Sequence, residues 1–160
     1  PAPHRYAARL YEAMGLIELA AESSERECAC DPRDGSAWAR LGSLRIRLLQ
    51  PEAAKAALTR ARRTPGATVD TLLDLSLANY LLGDLVASAE CAQTAVKIDN
   101  DSAPAWVSLA HALDRTGAQA ECIVACNRAI RLGNATEEIA NLLLRKRNEE
   151  PRELPDVAVN

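Results

Sequence analysis

The sequence predicts an all-helical stack of paired helices, and three observations carry that prediction. Trp38 and Trp106 stand 68 residues apart, two periods of 34, and small and apolar residues recur between them at the same period. Within each period the apolar residues fall at intervals of three and four, which lays them along one face of a helix. The composition is 48% hydrophobic but only 3% aromatic, with no Phe, so the interior must be built from Ala, Leu, Val and Ile in close helix contact.

Set out in blocks of 34, the chain shows four columns. Trp38, Leu72 and Trp106 share one; Leu41, Leu75 and Leu109 follow three places later; Gly15, Gly83 and Gly117 form the third; Ala61, Ala95 and Ala129 the fourth. Ile98 and Leu132 close their helices, and Asp31-Pro32 holds the block boundary that Asn100 and Asn134 occupy later. A large apolar residue at place 4, Leu at 7, a small residue at 8, Gly at 15 and small residues at 20 and 27 resembles the tetratricopeptide repeat (TPR) family. The resemblance implies a right-handed superhelical solenoid of antiparallel helix pairs. It also implies a protein-binding role, with the first helix of each pair facing a concave groove.

One domain, 1–150, then contains the blocks 1–34, 35–68, 69–102 and 103–136 and a capping helix over 136–150. Block 1–34 is the most divergent, with His4 at the large apolar place and Ser24 and Glu27 at packing places, but Gly15, Ala20 and Asp31-Pro32 keep register. Terminal repeats are often atypical because one face meets water. In block 35–68, Leu49-Gln50-Pro51 replaces the turn glycine, and Pro51 suits the first turn of the next helix because its missing N–H has no partner there. That helix turns Ala54, Leu58 and Ala61 inward and Arg60, Arg62 and Arg63 outward, and Thr64-Pro65-Gly66 stops it. Blocks 69–102 and 103–136 are the most regular, each with glycine between an apolar first helix and an alanine-rich second. Gly133 then stops a helix and Asn134-x-x-Glu137 has the form of an N-cap box. Ile139, Leu142 and Leu143 would cover the last block, with Arg145, Lys146 and Arg147 explained by the helix dipole. Pro151 ends the helix, and 151–160 reads as an extended tail or linker.

A net charge of −3 and a pI near 5.5 disfavour general affinity for nucleic acid, which needs a basic surface. No apolar run reaches the roughly 18 residues a membrane span needs, so no direct membrane insertion is expected. Five cysteines form no paired CxxC frame; free thiols fit a reducing compartment, and the cytoplasm is the expected location. A start at Pro1 rather than Met suggests a processed product or a piece of a larger protein.

By the resemblance, groove places hold Arg5, Arg9 and Glu12, then Arg40, Ser43 and Arg47, then Asp70, Leu73, Asp74, Leu77, Tyr80 and Leu81, then Val107, His111, Asp114 and Arg115. Leu73, Leu77 and Tyr80 form an apolar row that the stack does not need for its own core, since Leu72 and Leu75 already supply it; such a row marks a binding surface. The expected partner contacts are Arg40, Arg47, Leu73, Leu77, Tyr80, Val107 and His111, with both arginines meeting acidic residues. The family's clamp for a C-terminal carboxylate carries cations where this chain has Asp70 and Asp74, so a chaperone co-factor of that type is disfavoured. Cys122 and Cys126 face the core and His111 the groove, so no nucleophile meets a base, and neither cofactor nor metal is expected. The resulting expectation is a non-catalytic adaptor for a protein or peptide partner, apolar with acidic flanks. Alternatives are a small bacterial chaperone for a secretion or assembly system, or a scaffold piece that joins other domains or self-associates.

Overall fold

The computed structural model describes residues 2–64 and 68–149, with the backbone alone for residues 2–5. The tail 151–160, most of the Thr64-Pro65-Gly66 stop and the side chains of His4 and Arg5 lie outside the described residues. Among those described there are nine helices and no strand: α1 (Ala2–Ala13), α2 (Ile17–Cys30), α3 (Gly35–Arg47), α4 (Pro51–Arg62), α5 (Val69–Leu81), α6 (Leu85–Ile98), α7 (Ala103–Thr116), α8 (Gln119–Arg131) and α9 (Glu137–Glu149). Each helix packs on the next, and the first helices also meet one another, α3 on α5 and α5 on α7. A right-handed solenoid of antiparallel pairs results, with the first helices on its inner side.

The starts of the helices follow from local chemistry. Asp34 accepts the N–H groups of Ser36 and Ala37, Thr68 that of Thr71, Asp84 that of Ala87 and Ser102 that of Ala105, so side-chain oxygens satisfy orphan donors at four N-termini. Pro51 opens α4 in its first turn, and there the missing N–H costs nothing. At α9 the cap differs from the sequence expectation. Thr136 accepts from the Ile139 N–H at 3.4 Å, whereas the Asn134 side-chain oxygen, Oδ1, is buried without a partner. The helix begins one residue after Thr136, too late for Asn134 to reach its first N–H groups.

Within pairs the chain reverses through a left-handed residue: Gly15 (φ 75°), Gly83 (φ 77°) and Gly117 (φ 80°). Leu49 stands at the equivalent place with φ 56°. The second pair therefore keeps the turn geometry of the others, at a conformational cost that glycine does not carry.

Between pairs the tryptophans act as struts. The Trp38 indole donates to the Pro32 carbonyl at 3.0 Å and the Trp106 indole to the Asn100 carbonyl at 2.8 Å, so place 4 of one block is tied to place 32 of the block before. Small residues at places 8 and 20 let paired helices approach. Ser76 donates to the Ser88 carbonyl at 2.9 Å, and Cys122 to the Ala110 carbonyl at 3.4 Å. The core is largest at the C-terminal end, where Leu72, Leu109, Leu113, Cys122, Cys126, Ile139, Leu142 and Leu143 join one cluster. Two smaller clusters serve the first blocks.

Arg145, Lys146 and Arg147 do more than answer a helix dipole. Lys146 is buried and reaches Asp114 at 2.8 Å and Glu149 at 2.8 Å, Arg145 reaches Asp114 at 2.6 Å, and Arg147 donates to Asn127 at 3.2 Å. With Gln119 donating to the Lys146 carbonyl at 2.7 Å, these contacts fasten α9 to α7 and α8.

Candidate functional site

The helical rise puts residues of α5 spaced at three and four on one face, and the face opposite Leu72 and Leu75 turns to the inner side of the superhelix. There Leu73, Leu77 and Tyr80 of α5 face Pro104, Ser108 and His111 of α7 across a cleft of about 430 Å³, with Asp74 on one wall and Glu138 of α9 at the far edge. A second recess of about 460 Å³ shares Tyr80, His111 and Glu138 and continues over Asp114, Asn141 and Arg145. The two form one groove across three consecutive first helices. Leu77, on this face, is 43% exposed.

The expected contact residues divide. Leu73, Leu77, Tyr80 and His111 line the cleft; Leu73 also packs against the core. Val107 is half-buried against that core and does not line the cleft. Arg40 is nearly buried and holds Glu27 at 2.6 Å, an ion pair that explains how Glu27 can occupy a packing place in α2. Arg47 faces Glu12 at 3.1 Å. Neither arginine lines the cleft, and both carry a carboxylate partner from the first block. Their charges serve the packing of blocks one and two rather than the apolar row.

Glu138, Asn141 and Arg145 were not among the expected contacts. Carrying the period of 34 past residue 136 finds them, because Glu137 opens a fifth block and these residues then fall at groove places 2, 5 and 9. α9 is a cap on its buried side and a groove wall on its other side.

The charges of the groove are unevenly compensated. Burial pushes the Asp74 carboxyl above the usual range, a hydrogen bond from Ser43 only partly offsets this, and the neighbouring charge acting on it is another carboxylate, Asp70. Glu138 lies 3.5 Å from His111 and is mostly exposed. Asp114 is the opposite case: burial would raise it, but hydrogen bonds from Lys146 and Arg145 outweigh that and hold its carboxyl below the usual value. Arg115 sits over the Tyr80 ring at 5.5 Å, which fixes the ring at the other end of the cleft.

The thiols have separate surroundings. Cys28, Cys91, Cys122 and Cys126 are buried and Cys30 is exposed. Burial, with Glu27 beside it, pushes Cys28 up to about 12, and burial raises Cys91. The contact with Cys126, together with burial, raises Cys122. Asn79 donates to Cys91, while Cys122 turns to the Ala110 carbonyl, so the sulfurs of these successive second helices face different seams. Among the described residues no group of His, Cys, Asp and Glu is arranged to hold a metal ion, and no helix is long and apolar enough to cross a membrane.

Paired helices, struts between successive blocks and a groove lined by first helices define a helical-repeat solenoid. No family profile matches the sequence, and no curated protein matches it. Solved structures do. MamA superposes with a TM-score of 0.83 at 16% identity, over 88% of this chain and 82% of that one. YrrB, described as a TPR protein with an unusual peptide-binding site, gives 0.81 at 16% identity over 93% and 79%. TTC0263, a thermophilic TPR protein of Thermus thermophilus, gives 0.69 at 18% identity over 88% and 78%. The chain has the TPR fold.

Proposed function

We propose that the protein is a non-catalytic scaffold whose groove holds a segment of a protein partner, with Leu73, Leu77, Tyr80 and His111 as the contact surface. One observation carries this reading: an open apolar cleft bounded by polar side chains, on the face the stack does not use for its own core. The peptide-binding site ascribed to YrrB, which has the same fold, supports it. Four buried, unpaired thiols support a reducing compartment such as the cytoplasm.

Leu77→Asp and Tyr80→Asp place charge on the contact surface without touching the core, whereas Lys97→Glu alters an exposed position of a second helix. Proteins retained by the immobilised wild type are to be identified by mass spectrometry, then titrated against all three variants. Loss of about 1–2 kcal/mol or more in the two groove variants alone is the expected result, as for central interface residues. Equal losses in all three, or loss only in Lys97→Glu, would place the binding surface elsewhere.

A further inference from the structure

None of the cations that the sequence offers to an acidic partner lines the cleft between α5 and α7 itself, although Arg145 lines the adjoining recess. Arg40 and Arg47 pair with Glu27 and Glu12, Arg145 and Lys146 with Asp114, and Arg115 lies on Tyr80. The charged side chains that line the cleft itself are the carboxylates of Asp74 and Glu138. Asp74 has Ser43 as its hydrogen-bond donor and, among the described residues, no ion pair, and Glu138 at the far edge faces the His111 imidazole at 3.5 Å and shares the adjoining recess with Arg145. Asp70 and Glu138 lie in first turns, where the helix dipole alone favours an acid. Asp74 lies a full turn further on, beyond the reach of that explanation, and is partly desolvated.

We propose that the segment bound in this cleft is basic and apolar: an aliphatic or aromatic side chain seated against Leu77 and Tyr80, with a lysine or arginine beside it reaching Asp74 and Glu138. This rests on the cleft being the partner site, and it reverses the charge expected from the sequence. A desolvated carboxylate with no counter-ion gains most from a cation brought by the ligand, whereas an acidic segment would meet two like charges across an apolar floor.

A random peptide display library panned on the full chain tests the inference directly, since the library supplies every candidate segment. Enriched peptides are then titrated at two salt concentrations against wild type, Leu77→Asp and the double variant Asp74→Asn, Glu138→Gln. The expected result is enrichment of Lys or Arg within two residues of a large apolar side chain. Affinity should fall about tenfold in the neutralised variant, with a weaker salt dependence than wild type. Peptides that lose binding in Leu77→Asp but are neutral or acidic would overturn this inference and leave the scaffold reading standing. Peptides indifferent to Leu77→Asp, or none enriched, would overturn both. Circular dichroism and melting of each variant confirm that the fold is retained.

Discussion

Leu49 occupies a backbone conformation that glycine occupies in the other three pairs, and it is 82% exposed, so its side chain contributes little packing in return. The left-handed region costs a non-glycine residue about 1–2 kcal/mol, against about 0.5–1 kcal/mol of extra chain entropy lost by glycine. Leu49→Gly should therefore raise stability by roughly 0.5–1 kcal/mol in urea denaturation. No gain would mean that the leucine has a packing partner the exposure does not reveal. Gly42 is the converse. It lies in the middle of α3, where alanine is normally preferred, yet a Cβ there would stand 2.4 Å from Leu58 Cγ. Gly42→Ala should cost about 1–3 kcal/mol by overpacking, read as a lowered denaturation midpoint. The first substitution was half legible in the sequence. The break in the glycine column was visible, but whether the turn kept its conformation or was rebuilt around Pro51 depends on backbone angles that spacing does not encode.

At the scale of a helix, α9 is held by two unlike sets of contacts. Ile139 is fully buried, and Ile139→Ala should cost about 2–5 kcal/mol. The polar set is sensitive to pH. Asp114 has a folded value below its ordinary 3.8, so its contribution is present above about pH 4 and lost as pH falls through the folded value. Lys146 is raised above its ordinary 10.5 by Asp114 and Glu149, so its contribution is present below that value and lost as pH rises through the folded one. Asp114→Asn should remove the acid limb and weaken the alkaline one, which Glu149 still supports, flattening the acid shoulder of the melting temperature against pH more than the alkaline shoulder. Unchanged shoulders would show that the ion pairs do not anchor the helix. The apolar side of α9 could be read from the period of Ile139, Leu142 and Leu143. The ion pairs could not, because Asp114 and Lys146 are more than thirty positions apart in sequence and only the superhelical stacking brings them together.

Across the whole molecule, apolar packing is graded from one end to the other. The C-terminal cluster joins five successive helices, whereas the first pair buries Ser23, Ser24 and Glu27, and the Ser24 hydroxyl lacks a partner. α1 and the turn that follows it also present Tyr6, Leu10 and Met14 to solvent at 71%, 59% and 62%. In a stack where each pair leans only on its neighbours, α1 and α2 should open first. Native-state hydrogen exchange should show their amides exchanging well before those of α7 and α8; uniform protection would indicate a single cooperative unit. The repeating architecture was legible because its columns of Trp, Leu, Gly and Ala recur at a fixed interval. The groove was legible only as an apolar row on α5. Which charges stand free beside it depends on pairings such as Arg40 with Glu27, made between helices of different blocks.

The position of α9 ties two properties of the molecule together. Its core-facing side buries Ile139 while Glu138 and Asn141 stand in the groove, so a ligand spanning α5, α7 and α9, as proposed, would fasten the end of the solenoid as it bound. By thermodynamic linkage the native state gains about 2.7 kcal/mol at a ligand concentration about a hundred times Kd. The same linkage runs backwards: any change that loosens the terminal helix raises Kd even when every residue touching the ligand is intact. Partner occupancy can then be followed without labelling the partner, as protection of the amides in the last helix.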